Sequence, residues 1–113
     1  MKRSDYEACI ADIKDIARLS YNWNGYKASP IPQDICEVAM TLMKVLSHRP
    51  DIFATARKTI QLEWQTNDTY LEIELYHDHF HVLKVKGGQA KNAVFPINSI
   101  KTIKELVYDT ISA

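Results

Sequence analysis

Between residues 60 and 76 the chain alternates apolar and polar side chains twice. Ile60, Leu62 and Trp64 alternate with Gln61, Glu63 and Gln65; Leu71, Ile73 and Leu75 alternate with Tyr70, Glu72, Glu74 and Tyr76. A period of two puts one set on each face of an extended strand, so each run has a dry side and a wet side. Half-buried strands of this kind pair antiparallel, and the dry face needs a second layer over it. Asn67-Asp68, between the two runs, and His77-Asp78, before a third strand "HFHVLKVK", read as two-residue hairpin turns. In that register Glu63 stands opposite Glu72, and Glu74 stands between Gln61 and His81.

The covering layer comes from segments with helical period. Ser4 and Glu7 read as a capping box for a helix from Asp5 to Leu19, with Tyr6, Cys9, Ile10, Ile13, Ile16 and Ala17 on one stripe. "NWNGYKASPIP" interrupts it. Pro32 suits the first turn of a second helix, whose buried face is Ile35, Val38, Ala39, Leu42, Met43 and Leu46, and "SHRPD" ends it before a loop. In the third strand Phe80 and Val82 point inward. The phase blurs at Leu83 and Val85, which predicts a bulge or coverage of both faces. "GGQAKN" reads as a turn and "AVFPI" as a short fourth strand, with Pro96 at an edge or an end. Asn98 or Ser99 caps a last helix with an apolar face of Ile100, Ile103, Leu106, Val107 and Ile111. The expected architecture is α+β over residues 1–113: two N-terminal helices, a three- to four-stranded antiparallel meander and a C-terminal helix, with the helices mainly on one sheet face.

Bulk composition narrows the function classes. The chain has 113 residues, 46% hydrophobic and 25% charged, the profile of one ordinary folded domain. Fourteen basic and fourteen acidic residues cancel. That balance removes the general attraction to polyanions and argues against nucleic acid. The N-terminus lacks the apolar run of a secretory signal, and no stretch is long and apolar enough to span a membrane, so the expected location is the cytoplasm. Cys9 and Cys36 sit in helical apolar patterns and read as core residues, with a disulfide or redox pair as the alternative.

The wet face is where chemistry or contact is expected. Glu63, Glu72, Glu74, His79 and His81 share it, and like charges opposite each other cost up to about 1 kcal/mol. A bound cation would explain the Glu63–Glu72 pair. His-x-His on a strand projects to one side, and imidazole with carboxylate suits zinc, manganese or iron. That gives one reading: a metal-dependent enzyme or metal sensor using His79, His81 and Glu74, with Glu63 or Glu72. The other reading is a solvated face that meets a protein. Tyr70 and Tyr76 flank the acids, and tyrosine is enriched where proteins touch. Gln61, Glu63, Tyr70, Glu72, Glu74, Tyr76, His79 and His81 are then the partner-binding residues. No catalytic residue and no cofactor is indicated: there is no G-x-S-x-G elbow, no phosphate loop, no H-E-x-x-H and no C-x-x-C.

Charge is unevenly spread. Glu63, Asp68, Glu72, Glu74 and Asp78 form an acidic stretch, and Lys84, Lys86, Lys91, Lys101 and Lys104 a basic one. The lysines that open the last helix oppose its dipole. In "NWNGY", Trp23 and Tyr26 are expected to pack at the joint between the first two helices, with stacking on a ligand as the alternative.

"NWNGYKASPIP", the following helix, "IQLEW" and "YLEIEL" together resemble a family of small bacterial proteins with the pattern Asn-Trp-Asx-Gly-Tyr-Gly-Ala, Pro-Ile and then Ile-Gln-Leu-Glu-aromatic. The resemblance covers about residues 15 to 76. Trp23, Gly25, Tyr26, Gln61, Glu63 and Trp64 match the pattern. Lys27 stands where the family has glycine, and Arg57 and Lys58 stand where it has a glycine turn. Such proteins look toxin–antitoxin-like or mobile-element-associated, which implies a small interaction protein. The functional expectation is a non-enzymatic module, antitoxin- or immunity-like, that holds a protein partner on the polar sheet face. A free face or edge is also compatible with a homodimer.

Overall fold

The alternation closes into rows that run across the sheet. In a computed structural model, which describes residues 1–112, the strands are β1 (Asp51–Ala54), β2 (Ile60–Gln65), β3 (Thr69–Leu75), β4 (His79–Lys86) and β5 (Gln89–Pro96). They form one antiparallel sheet in chain order, β1-β2-β3-β4-β5. One row is Ile52, Leu62, Ile73, Val82 and Ala93; the next is Ala54, Ile60, Leu75, Phe80 and Phe95. Leu62, Ile73, Ile60, Leu75 and Phe80 are wholly buried.

Three helices cover that face: α1 (Arg3–Ala17), α2 (Gln33–Met43) and α3 (Ile100–Ile111). Cys9, Ile13 and Ile16 from α1, Ile35, Ala39, Leu42 and Met43 from α2, and Ile103 and Val107 from α3 join the inward strand residues in one cluster. The stripes pack because each helix repeats its apolar residues every three or four positions, so one side meets the sheet. Both cysteines are free and buried, and burial raises both thiols above their ordinary pKa. Trp64 spans the sheet–helix joint: its indole Nε1 donates to the His48 carbonyl at 3.0 Å.

The class is α+β, as expected, but the sheet has five strands rather than three or four. β1 was hidden because it contributes only Ile52 and Ala54 to the dry side, too short a run to show a period. β5 begins at Gln89 rather than Ala93, because Gly87 and Gly88, at φ of 58° and 76°, make the whole turn between Lys86 and Gln89. Left-handed backbone at both turn positions fits the twist of a hairpin and favours glycine. β4 pairs on both sides without a bulge. Leu83 and Val85 are simply on the outer face.

The helix starts also differ. α1 begins at Arg3, so Ser4 lies inside it, and Lys2 is an N-cap with no side-chain hydrogen bond. Glu7 instead accepts from Arg3 Nε at 3.0 Å, one helical turn away, so the capping box does not form. Pro32 is the N-cap of α2 rather than a residue of its first turn. Ser99 is the N-cap of α3, without a side-chain cap bond.

Candidate functional site

The outer face is read in the same rows. Asp51, Glu63, Glu72, Leu83 and Asn92 form one; Phe53, Gln61, Glu74, His81 and Val94 form the next; Gln65, Tyr70, Val85 and Ala90 form a third. α2 lies on the opposite side, packed on α1 and over β2 and β3, so it does not cross the carboxylates.

Glu63 and Glu72 face each other, as the hairpin geometry required. Their repulsion is managed by two neighbours. The Tyr70 hydroxyl lies 2.8 Å from Glu63 Oε1 and 2.7 Å from Glu72 Oε1. Gln61 Nε2 reaches the same two oxygens, at 2.8 and 3.2 Å. A hydroxyl offers one hydrogen and an amide nitrogen two, so four contacts share three hydrogens, and the second oxygen of each carboxylate is left to other donors. Burial, then Glu72 and Glu63, push the Tyr70 hydroxyl far above the ordinary tyrosine pKa, so it stays a donor. Asp51, which sequence reasoning missed because β1 was invisible, extends the acidic row toward the sheet edge.

Glu74 corrects the expectation of a solvent-facing carboxylate. It is 5% exposed. The loop between β1 and β2 folds over it: Arg57 Nε donates to Glu74 Oε2 at 2.8 Å, and the Thr59 hydroxyl donates to the same oxygen at 2.5 Å. Burial pushes the carboxyl up, but the Arg57 and Thr59 hydrogen bonds and the Arg57 charge outweigh it and hold the pKa below the ordinary glutamate value. Tyr76 stands beside this pair, half-buried, and its hydroxyl is raised by burial and by Glu74. The Tyr76 ring stacks on His79, with centroids 4.4 Å apart and planes within 9°. His79 Nδ1 contacts Asp78 Oδ1 at 2.6 Å.

The metal set therefore does not converge. Glu74 is engaged by Arg57 and Thr59, and His79 is held between Tyr76 and Asp78. Only His81 keeps an imidazole beside the Glu74 row. Among the described residues no three His, Cys, Asp or Glu side chains come together at metal-holding distance. The acidic stretch is also not one patch. Asp68 and Asp78 lie in turns at opposite ends of β3, while Glu63 and Glu72 lie mid-sheet.

Hydrophobic side chains complete the face. Phe53 is 46% and Val94 63% exposed, and Tyr70, Leu83 and Val85 are half-buried between them. Elsewhere, Trp23 packs against the core and donates from Nε1 to the Ser29 carbonyl at 2.8 Å. Tyr26 does not pack: it is 87% exposed on a loop tied by the Asn22 and Asn24 side chains to the amides of Tyr26, Lys27 and Ala28.

Comparison of the chain with family models, with curated proteins and with solved structures finds no match. No helix among the described residues is long and apolar enough to cross a membrane.

Proposed function

We propose that this chain is a small non-enzymatic interaction module that holds a protein partner on the outer face of its sheet, around Glu63, Tyr70 and Glu72. One observation carries the reading. The two opposed carboxylates are fixed by Tyr70 and Gln61 with acceptor capacity left over, on a face that also displays Phe53, Leu83, Val85 and Val94. Preset acceptors beside partly exposed apolar side chains suit a partner that brings N–H donors, such as arginine, together with apolar area. Because the acceptors are already ordered, little side-chain entropy is lost on binding. Gln61 and Asp51 belong to this surface, Tyr76, His79 and His81 to its margin, and Glu74 serves it from beneath by anchoring the β1–β2 loop. The antitoxin- or immunity-like role follows from the family resemblance and is the biological form this reading takes.

The test is affinity capture from cells that carry the protein, with wild type compared to the Glu63→Lys/Glu72→Lys double variant. Wild type should retain a defined protein that the variant loses, while circular dichroism shows both folded. Equal capture by both would remove this face from the interaction.

A further inference from the structure

A second surface lies at the other side of the molecule, where β4 and β5 run past the helix layer. On the helix side of β4 the buried residues end at Val82; the next two inward positions are Lys84 and Lys86. Lys84 faces Lys91 directly across the ladder, and Lys86 faces Gln89. These four side chains line a concavity of about 310 Å³. Like charges in directly opposed positions destabilise a hairpin, and none of the ion pairs among the described residues relieves them. Beside them β5 is the edge of the sheet. It is eight residues long, pairs with β4 without interruption, and is exposed at every position except Phe95. Natural edges are shortened, bulged, broken by proline or guarded by charge; here Pro96 comes only at the last position and Lys91 is the one charge on β5, so the edge is open to a strand that brings acidic side chains.

From this juxtaposition of an open β5 edge with the Lys84–Lys86–Lys91 cluster, we infer that the protein binds an extended acidic peptide segment as a sixth strand. Its main chain pairs with β5. Its alternate side chains fall on the two faces of the sheet. Those on the helix side lie next to Lys91, with Lys84 about 5 Å further in, within reach of a lysine or glutamate side chain. Those on the outer side meet Ala90, Asn92 and Val94. The complementary segment therefore alternates acidic with small apolar residues, and strand pairing supplies affinity while the lysines set the charge pattern. This goes beyond the outer-face reading: the two share only the margin at Ala90, Asn92 and Val94, and the lysine cluster and the β5 main chain that carry the inference lie outside that face.

The experiment is fluorescence anisotropy of a labelled octapeptide in which glutamate alternates with valine, titrated with the intact protein. Saturable binding is expected, weakened at least about tenfold by Lys84→Glu/Lys91→Glu and about threefold by the milder Lys91→Gln. Methylating the peptide amides that face β5 should abolish binding, and the bound peptide should slow hydrogen exchange of β5 amides. The Glu63→Lys/Glu72→Lys variant should bind the peptide as wild type does. Three results would each overturn the inference: binding that survives amide methylation, which marks plain electrostatic adhesion; a single-stranded oligonucleotide that binds where the peptide does not; or a dimer dissolved by Ala93→Pro, which marks an edge used by a second copy.

Discussion

Glu72 and Glu74 are neighbours on one face of β3, yet they live in different chemistry. Glu72 is half-buried in an acidic row and shares Tyr70 and Gln61 with Glu63. Glu74 is sealed under the β1–β2 loop and takes hydrogen bonds from Arg57 and Thr59. One strand step separates a half-buried carboxylate held by neutral donors from a buried one paired with an arginine. A sheet face is thus not one environment: a loop of five residues between β1 and β2 divides it. Position on the polar side of a strand says which way a side chain leaves the backbone, and nothing about what folds over it.

The largest test of this contrast is truncation of the sealed member. Glu74→Ala should cost about 1–2 kcal/mol in urea denaturation, since it removes the acceptor shared by the buried Thr59 hydroxyl and Arg57, and Glu74→Gln, which keeps an acceptor, about half of that. The pH dependence has a definite sign. The folded Glu74 pKa lies below its ordinary 4.5, so its contribution is complete above that value and is lost as pH falls through the folded value. Asp68, through hydrogen bonds from Thr69 and Thr66, and Asp78, through His79, shift the same way. Acid unfolding should therefore steepen below about pH 4.5 in wild type and be blunted in Glu74→Gln.

On the open side, Tyr70→Phe should cost about 1 kcal/mol, because it keeps the ring and removes the shared donor. In an alkaline titration followed by tyrosinate absorbance, at least one tyrosine should resist ionisation well past 10.0 and be released only on unfolding. The raised Tyr70 pKa means that its contribution is whole below 10.0 and fades as pH climbs toward the folded value. Glu72→Gln should change stability by no more than about 0.5 kcal/mol, as lost hydrogen bonds are offset by relief of like charge. If Glu72→Gln proved as costly as Glu74→Ala, the contrast between the two glutamates would fall.

The smallest expected effect concerns the loop that makes the difference. Lys58 has φ of 62°, as does Lys27. Left-handed backbone is strained for lysine and free for glycine, so Lys58→Gly and Lys27→Gly should each stabilise by about 0.5 kcal/mol in thermal unfolding.

Local pattern alone determined much. The period-two runs set β2, β3 and the start of β4, and the two-residue turns set the Glu63–Glu72 register, because a one-residue slip would have exposed Leu62 and Ile73. Helical stripes set the three helices to within a turn. β1 escaped because two inward residues show no period, and the length of β5 escaped because its residues are exposed on both faces and carry no alternation. The extent of β4 was legible, but Lys84 and Lys86 blurred its phase, because the inward positions turn polar where the helix layer stops.

What the sequence decided by itself is the direction of side chains, since the strand and helix periods are properties of the backbone and need no neighbours. What only the tertiary structure decided is burial on the polar side and proximity across the chain: Arg57 over Glu74, Tyr70 between two acids, Asp51 in their row, and three lysines gathered at an uncovered edge. Those depend on which loop lies over which row and where one layer ends above another. Distances between residues far apart in the chain are fixed by packing, and no local period encodes them.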